Sequence, residues 1–297
     1  MWLRTGAKPM SARRRLCTRA IAAASILVVA SCGSAPTPTP SATAITPPSF
    51  RTWLMTSQAL RDMSAVGDPT AALRNSTLLE IVGETQSTLH TVPATPVVSF
   101  RSVSSLLAWL STTNAPGQIR AVLYDPESWQ FTPAAEQQDP AHYAQQFVQA
   151  ARQHGLIPIL APGMDLSKVL APSASTNSSG YLQVRLPAAM AQALSGGTGY
   201  VVIQSQSLER SPAEYLSVVQ GAVAQIASQN AQIKVLGGLS TNPSGGAVTA
   251  QELLTDVQLT RGLVAGYWLN VPGAGPSCPS CGPTDPGLGL QVLAGAA

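Results

Sequence analysis

Residues 119–160 read IRAVLYDPESWQFTPAAEQQDPAHYAQQFVQAARQHGLIPIL and contain a complete strand–helix–strand unit. Both ends of the segment, residues 119–124 and 156–160, are apolar runs of the kind found in strands that are buried on both faces. Between them, Asp139-Pro140 predicts a helix start, because the aspartate can cap free amide groups and proline fits the first turn. Apolar residues then recur at helical spacing until Gly155, which predicts the helix end. This order predicts a parallel βαβ unit.

The same alternation of strand and helix patterns continues on both sides of this unit. Two capping boxes, SPAE at residues 211–214 and TAQE at residues 249–252, predict the starts of two later helices. The predicted strands are residues 96–100, 119–124, 156–160, 200–204, 233–239 and 266–271, with 52–55 as a candidate first strand. Residues 78–82 fit either a strand or the core face of a helix.

Seven or eight strands over about 250 residues suit a (β/α)8 barrel of the TIM type better than an open doubly wound sheet. The open alternative usually carries a glycine-rich phosphate loop, and the chain has neither G-x-G-x-x-G nor GK[ST] after a strand. We therefore predict the barrel, and leave open an irregular N-terminal part. Pro158 lacks the N–H that a central strand donates, so we expect a bulge there or a strand that begins after it.

The N-terminus has the pattern of an export signal. Six basic and no acidic residues precede Cys32, and residues 20–30 form an apolar run too short to span a bilayer. The sequence VASC at residues 29–32 resembles the lipobox of bacterial lipoproteins. The resemblance implies that residues 1–31 are cleaved and that Cys32 carries the lipid, with palmitate among its acyl chains. An ordinary signal peptide with an incidental cysteine is the alternative, and RRR at 13–15 leaves export by the Sec or the twin-arginine route open.

The resemblance places the remainder of the chain on the outer, extracytoplasmic face of the cell membrane. Residues 32–49 are rich in Pro and Thr and predict a solvated tether, which leaves residues 50–297 as a single domain. Removing the six basic residues before Cys32 from the 17 in the whole chain leaves 11 against 14 acidic residues, a net charge of −3. This balance argues against a nucleic-acid partner. With 45% hydrophobic and 10% charged residues, the chain is expected to fold.

Polar side chains follow six of the predicted strands, where a barrel carries its functional site. Carboxylates, amides and aromatic rings are the groups that recognise sugars, because amides bond hydroxyl groups in both directions. Polar loops alone would explain part of the pattern. The strand-end residues are Arg101, Asp125, Glu127, Asp165, Gln204, Gln206, Asn242 and Asn270, and the aromatic candidates are Tyr124, Trp129, Tyr267 and Trp268.

The segment VLYDPESW at residues 122–129 resembles the strand-borne Asp-x-Glu of chitinase-type barrels, within glycoside-hydrolase-like (β/α)8 barrels of secreted bacterial proteins. The resemblance spans roughly residues 96–271. It implies that Glu127 is the general acid and that Asp125 controls the protonation state of Glu127. The earlier aspartate of the longer family motif is absent, and Pro126 stands where the family has an apolar strand residue. The order of segments also resembles lipoproteins of high-GC Gram-positive bacteria.

Strand geometry gives the same carboxylates a physical role. Residues two apart in a strand face the same side at about 6.6 Å, so Asp125 and Glu127 should repel each other, and the pKa of one of them should rise until it can hold a proton at neutral pH. The alternative is that Asp125 caps a turn and Glu127 is solvated. A second catalytic carboxylate would be Asp165, while Glu209 lies farther along its loop. A substrate-assisted mechanism would need no second carboxylate.

The remaining candidate residues, two cysteines and three histidines, indicate structural roles instead of catalytic or metal-binding ones. Cys278 and Cys281 have no second Cys or His pair for zinc, and outside the cytoplasm we expect them to form a small disulfide loop at the rim of the site. For His90, His142 and His154 we expect surface or helix-end positions, and we expect no metal and no cofactor. There is no G-x-S-x-G of a serine hydrolase.

Two functions remain open at this point. One is a cell-surface, glycoside-hydrolase-like enzyme that acts on a glycan. The other is a non-catalytic envelope lipoprotein that binds a glycan or a protein partner. In both cases we expect a monomer that is held to the membrane by its lipid.

Overall fold

The strands form a closed barrel of eight parallel strands, each paired with its neighbours in chain order. The computed structural model describes residues 52–83, 93–112, 115, 117–243, 246–275, 278 and 281–297. The strands are β1 Thr52–Thr56, β2 Thr77–Ile81, β3 Ala94–Phe100, β4 Ala121–Tyr124, β5 Ile157–Leu160, β6 Tyr200–Ile203, β7 Lys234–Ser240 and β8 Gly266–Asn270. The predicted (β/α)8 class is therefore confirmed.

Helices connect the strands and cover the outside of the barrel. They are α1 Ser57–Val66, α2 Thr70–Leu73, α3 Val103–Leu110, α4 Ala134–Gln138, α5 Pro140–Gln153, α6 Leu166–Leu170, α7 Asn177–Gln183, α8 Leu186–Ala193, α9 Pro212–Ala227, α10 Ala250–Thr260 and α11 Pro286–Ala296. Within the described residues, no helix is long and apolar enough to cross a membrane.

Strand periodicity divides the apolar side chains between two cores. In β4, Ala121 and Leu123 belong to the core inside the barrel, whereas Val122 and Tyr124 pack outwards against the helices. The same rule settles the ambiguous segment at residues 78–82. It forms β2, which places Leu79 inside the barrel and Leu78 in the outer core.

Pro158 lies inside β5, so the expected bulge or late strand start is wrong. Ile157 donates its N–H to the carbonyl of Arg120, just before β4, at 3.0 Å, and Ala161 donates to the carbonyl of Tyr124 at 2.8 Å. Residues alternate between the two neighbouring strands, so the nitrogen of Pro158 points towards β6. Pairing of β5 with β6 begins only at Ile159, opposite Tyr200. Because the β5–β6 pairing begins after Pro158, the N–H group that proline lacks is not needed for any hydrogen bond between these two strands.

Two of the three predicted helix starts have the expected cap. The side chain of Asp139 accepts from the N–H of His142 at 3.1 Å to begin α5, and Thr249 forms a full capping box with Glu252 at α10. The capping box predicted at residues 211–214 is wrong. Ser211 makes no side-chain cap, and Glu214 instead accepts from the Ser178 hydroxyl of α7 at 2.7 Å. A tertiary hydrogen bond thus replaces the local one.

Parallel pairing places the C-terminal ends of all eight strands at one rim of the barrel, where the loops after the strands surround a cleft. His142 lies in α5 and His154 at its C-terminal end, as predicted. Residues 1–49, which contain the predicted signal peptide, Cys32 and the tether, lie outside the described residues, as does His90.

Candidate functional site

A cleft of about 740 Å³ lies at the C-terminal rim of the barrel. Its lining combines carboxylates, amides, hydroxyl groups and indole rings with a single guanidinium group, all within the described part of the chain. The lining residues on which the site depends are Arg101, Asp125, Glu127, Trp129, Gly163, Asp165, Gln204, Gln206, Asn242, Trp268 and Asn270. The structure thus brings most of the predicted site residues together.

Asp125 and Glu127 reach the cleft because the path of β4 continues beyond its last residue. The N–H of Asp125 donates to the Phe100 carbonyl at 2.9 Å, which extends the pairing with β3 by one step. The N–H of Glu127 then donates to the Thr132 hydroxyl at 3.1 Å. Thr132 thereby fixes the backbone from which the Glu127 side chain enters the cleft.

Asp165 follows β5 and lies beside Glu127. The backbone N–H of Ser128 donates to Oδ2 of Asp165 at 3.0 Å, while Oδ1 is buried with no hydrogen-bond partner among the described residues. Gly163 lies between the two carboxyl groups. A side-chain carbon at Gly163 would collide with Oδ1 of Asp165 and would lie 2.9 Å from Cγ of Glu127. The absence of a side chain at Gly163 therefore leaves room for both the Asp165 carboxyl group and the Glu127 side chain.

All three carboxyl groups have raised pKa values, and burial is the largest cause for each. The pKa of Asp125 rises to about 8, with the charge of Glu127 as the second cause. The pKa of Glu127 rises to about 7, with the charge of Asp165 as the second cause. Arg101 opposes both shifts. Asp125 and Glu127 consequently hold protons near neutral pH, as a general acid must.

An aromatic and cationic platform borders the carboxylates on one side. The Arg101 guanidinium lies 4.4 Å from the ring centre of Trp129 and 4.9 Å from that of Phe131. The indole N–H of Trp129 donates to the Thr132 hydroxyl at 3.2 Å. Stacking and this hydrogen bond hold the platform in place, and Phe131 remains 42% exposed.

The opposite wall comes from the ends of β6, β7 and β8. Gln204 donates from Nε2 to Oδ1 of Asp125 at 2.6 Å and to the Ala161 carbonyl at 2.5 Å. The amide of Gln206 packs against Gly238, where a side-chain carbon would lie 2.6 Å from it. The buried indole N–H of Trp268 has no hydrogen-bond partner among the described residues.

Tyr124 and Tyr267 do not belong to the cleft, and their assignment to ligand binding is corrected. Both side chains are fully buried and face the helices, because they occupy outward positions of β4 and β8. The Tyr124 ring stacks on Phe147 at 4.9 Å, and its hydroxyl donates to Glu136 at 2.6 Å. Strand alternation sends Asp125 inwards and therefore Tyr124 outwards.

Glu209 is also absent from the cleft lining. It is fully buried, and its Oε1 accepts from the Ser240 N–H at 2.6 Å. Burial raises the pKa of Glu209 well above its ordinary value. Asp165 is therefore the carboxylate that joins Asp125 and Glu127 in the cleft.

The loop after β8 forms part of the rim. The sulfur atoms of Cys278 and Cys281 lie at disulfide distance, with Cα atoms 5.3 Å apart, and Cys278 lines the cleft. Asn242 at the end of β7 donates to the Gly282 carbonyl of this loop at 3.2 Å. The cysteine pair predicted from the sequence thus lies at the site, as expected.

Three contributors had no recognisable sequence signal. Thr132 and Gly163 act through contacts across loops, and Glu136 accepts from both Tyr124 and the Val103 N–H that begins α3. Among the described residues, no group of three or more His, Cys, Asp or Glu side chains is arranged to hold a metal ion.

No protein-family model matches the sequence, and no curated protein is significantly similar to it. The structure is similar to triosephosphate isomerase from Bartonella henselae, with 13% identity, a TM-score of 0.41 and coverage of 74% of this chain and 92% of that one. It is also similar to bee venom hyaluronidase, with 9% identity, a TM-score of 0.46 and coverage of 76% of this chain and 91% of that one. A third similar structure is the spore cortex-lytic enzyme SleL of Bacillus megaterium, with 12% identity, a TM-score of 0.46 and coverage of 84% of this chain and 75% of that one. Similarity at this level says nothing about activity.

Proposed function

We propose that this chain is a protein anchored by lipid to the outer face of the cell membrane, and that its barrel hydrolyses a glycosidic bond. The observation that carries the proposal is the convergence of Asp125, Glu127 and Asp165 in one cleft at the C-terminal rim of the barrel. Glycosidic bonds are most often cleaved by two carboxyl groups, one of which must be protonated at the working pH. A raised pKa, as found for Glu127, meets this requirement.

In the proposed reaction, Glu127 donates its proton to the leaving-group oxygen. Asp165 acts as the second carboxylate: in its ionised form it removes a proton from the attacking water, or it bonds to the anomeric carbon and is released when water hydrolyses the resulting ester. Gly163 leaves room for the Asp165 carboxyl group beside the Glu127 side chain, and Oδ1 of Asp165 has no partner among the described residues. The sequence predicted that Asp125 raises the pKa of Glu127, but the charge that raises it is that of Asp165, while Glu127 raises the pKa of Asp125. Arg101 limits the rise of both pKa values and so keeps the pair able to ionise.

A neutral, polyhydroxylated ligand fits the remainder of the lining. Gln204, Gln206, Asn242 and Asn270 offer amides that can both donate to and accept from hydroxyl groups. Trp129 and Trp268 add indole rings, which can pack against the apolar face of a sugar ring. Carboxylates outnumber the single guanidinium group in the described lining, which disfavours a phosphorylated ligand.

The runner-up is a non-catalytic lipoprotein that uses the same cleft to bind a glycan. The platform of Arg101, Trp129 and Phe131 favours it, because an exposed stacked surface at a cleft edge can bind a sugar without any chemistry. An enzyme requires the carboxyl group of Glu127, whereas a binder tolerates its amide.

The test is a paired screen of the protein purified in detergent. A glycan array measures binding, and a panel of chromogenic glycosides measures hydrolysis. The proposal predicts binding to at least one neutral glycan and release of the chromophore from a glycoside of the same sugar. Binding without release supports the runner-up, and failure to bind any glycan contradicts both.

A further inference from the structure

We propose that Gln204 is the positioning residue of the cleft, which holds the Asp125 carboxyl group in one orientation so that its proton is carried on Oδ2. This inference rests on the proposed function of the cleft, because it assigns Asp125 a place in a proton-transferring group. It assigns Gln204 a role different from the ligand contact that the sequence predicted.

The hydrogen bonds of Gln204 determine which way its amide points. Nε2 donates both to Oδ1 of Asp125, at 2.6 Å, and to the Ala161 carbonyl, at 2.5 Å. A carbonyl oxygen can only accept, so rotating the amide by 180° would place oxygen against oxygen. The nitrogen of Gln204 therefore faces Asp125, and both of its N–H groups are used.

The oxygen of the Gln204 amide, Oε1, is consequently available to a ligand, and it can only accept a hydrogen bond. Oε1 of Gln204 accepts no hydrogen bond within the described residues, yet it is not among the buried unpaired atoms. Gln204 lines the cleft, so Oε1 is open to it. A ligand hydroxyl group that lies beside Asp125 would therefore donate to Gln204.

The same contact determines where Asp125 can carry a proton. Because Oδ1 already accepts the Gln204 N–H, a proton on that oxygen would remove the hydrogen bond, and Oδ2 becomes the site of protonation. The Gln204 bond also favours the ionised form, which lowers the pKa of Asp125 against the opposing effects of burial and Glu127. Gln204 thus keeps Asp125 able to exchange its proton near neutral pH.

The test follows the titration of the Asp125 carboxyl carbon by NMR in full-length protein labelled at aspartate, with Asp125→Asn used to assign the signal. Gln204→Leu keeps most of the side-chain volume and removes the donor. We expect the titration midpoint of Asp125 to rise by about one pH unit, the effect of losing one hydrogen bond to a charged group. Gln149→Leu, a matched change at an exposed residue of α5, should leave the midpoint unchanged.

A second variant separates orientation from simple packing. Gln204→Glu keeps the shape of the side chain but cannot donate a hydrogen bond when it is ionised. The Asp125 resonance should therefore be broadened or split at high pH and become a single sharp resonance at low pH. An Asp125 midpoint that is the same in the parent and in Gln204→Leu would overturn the proposal. The titration needs no glycan, so it stands apart from the proposed hydrolysis. A shifted midpoint without hydrolysis contradicts the hydrolase alone, and Glu127-dependent hydrolysis with an unmoved midpoint contradicts the positioning role alone.

Discussion

The charge state of Glu127 depends on its burial and on its neighbour Asp165. Its pKa is raised from 4.5 to about 7 by burial and by Asp165. A carboxyl group with a raised folded pKa stabilises the fold fully below its unfolded pKa, and that contribution is lost as pH rises through about 7. Glu127→Gln removes this dependence. We expect the free energy of unfolding of the variant, relative to the parent, to increase by roughly 1–3 kcal/mol between pH 4.5 and pH 8.5.

Urea denaturation at several pH values measures this difference. A parent and a variant whose stabilities differ by the same amount at every pH would show that Glu127 is not perturbed in the folded protein. Glu214→Gln is the matched control, because Glu214 is exposed and lies away from the cleft on α9, and the amide oxygen of the variant can still accept from the Ser178 hydroxyl.

The sequence indicated the carboxylates of the site but not their contacts. Asp125, Glu127 and Asp165 follow strands, so parallel topology alone predicts that they share one rim. Aromatic character alone predicts Tyr124 as a ligand contact, but strand alternation turns its ring outwards onto Phe147. Gly163 and Thr132 could not be predicted, since their roles depend on which loops meet across the cleft.

At the scale of elements, the short helix α4 is held to the barrel by one buried carboxylate. Glu136 is 3% exposed and accepts from the Val103 N–H at the start of α3 and from the Tyr124 hydroxyl. Glu136→Ala leaves both donors buried without a partner, so we expect a loss of about 2–4 kcal/mol in the free energy of unfolding. Gln138→Ala, at an exposed position of the same helix, should change stability by less than about 0.5 kcal/mol. Equal losses in the two variants would contradict this role.

The rim loop after β8 gives a second prediction at this scale. Cys278 and Cys281 are joined in the structure, so the peptide that carries both should be two hydrogens lighter before reduction than after it. Mass spectrometry of a digest made under alkylating conditions measures this. Alkylation of either cysteine in the unreduced protein would show that the loop is open.

Local sequence rules predicted most elements because strands and helix caps depend on nearby residues. They failed where a distant partner intervened. Glu214 bonds to Ser178 on another helix instead of completing its capping box. Pro158 is tolerated in β5 because the neighbouring ladder begins one residue later. Both outcomes depend on tertiary register, which a single sequence does not display.

At the scale of the whole molecule, the lipobox predicts where the protein resides. Cells grown with labelled palmitate should label the protein, and Cys32→Ala should abolish the label and release the protein from the membrane fraction. Cys17→Ala is the matched control, because Cys17 precedes the predicted cleavage site and should not affect labelling. A Cys32→Ala variant that remains labelled would contradict the predicted anchor.

The central claim is that the cleft hydrolyses glycosides with Glu127 as the proton donor, and the rate of a single variant tests it most directly. The hydrolysis rate of the glycoside found in the screen is compared between the parent and Glu127→Gln, with Glu214→Gln as the control. Loss of a positioned general acid should reduce kcat by about 10²–10⁴-fold, while glycan binding persists because the cleft keeps its shape. An unchanged rate in Glu127→Gln, in a protein that still binds the glycan, would contradict the account.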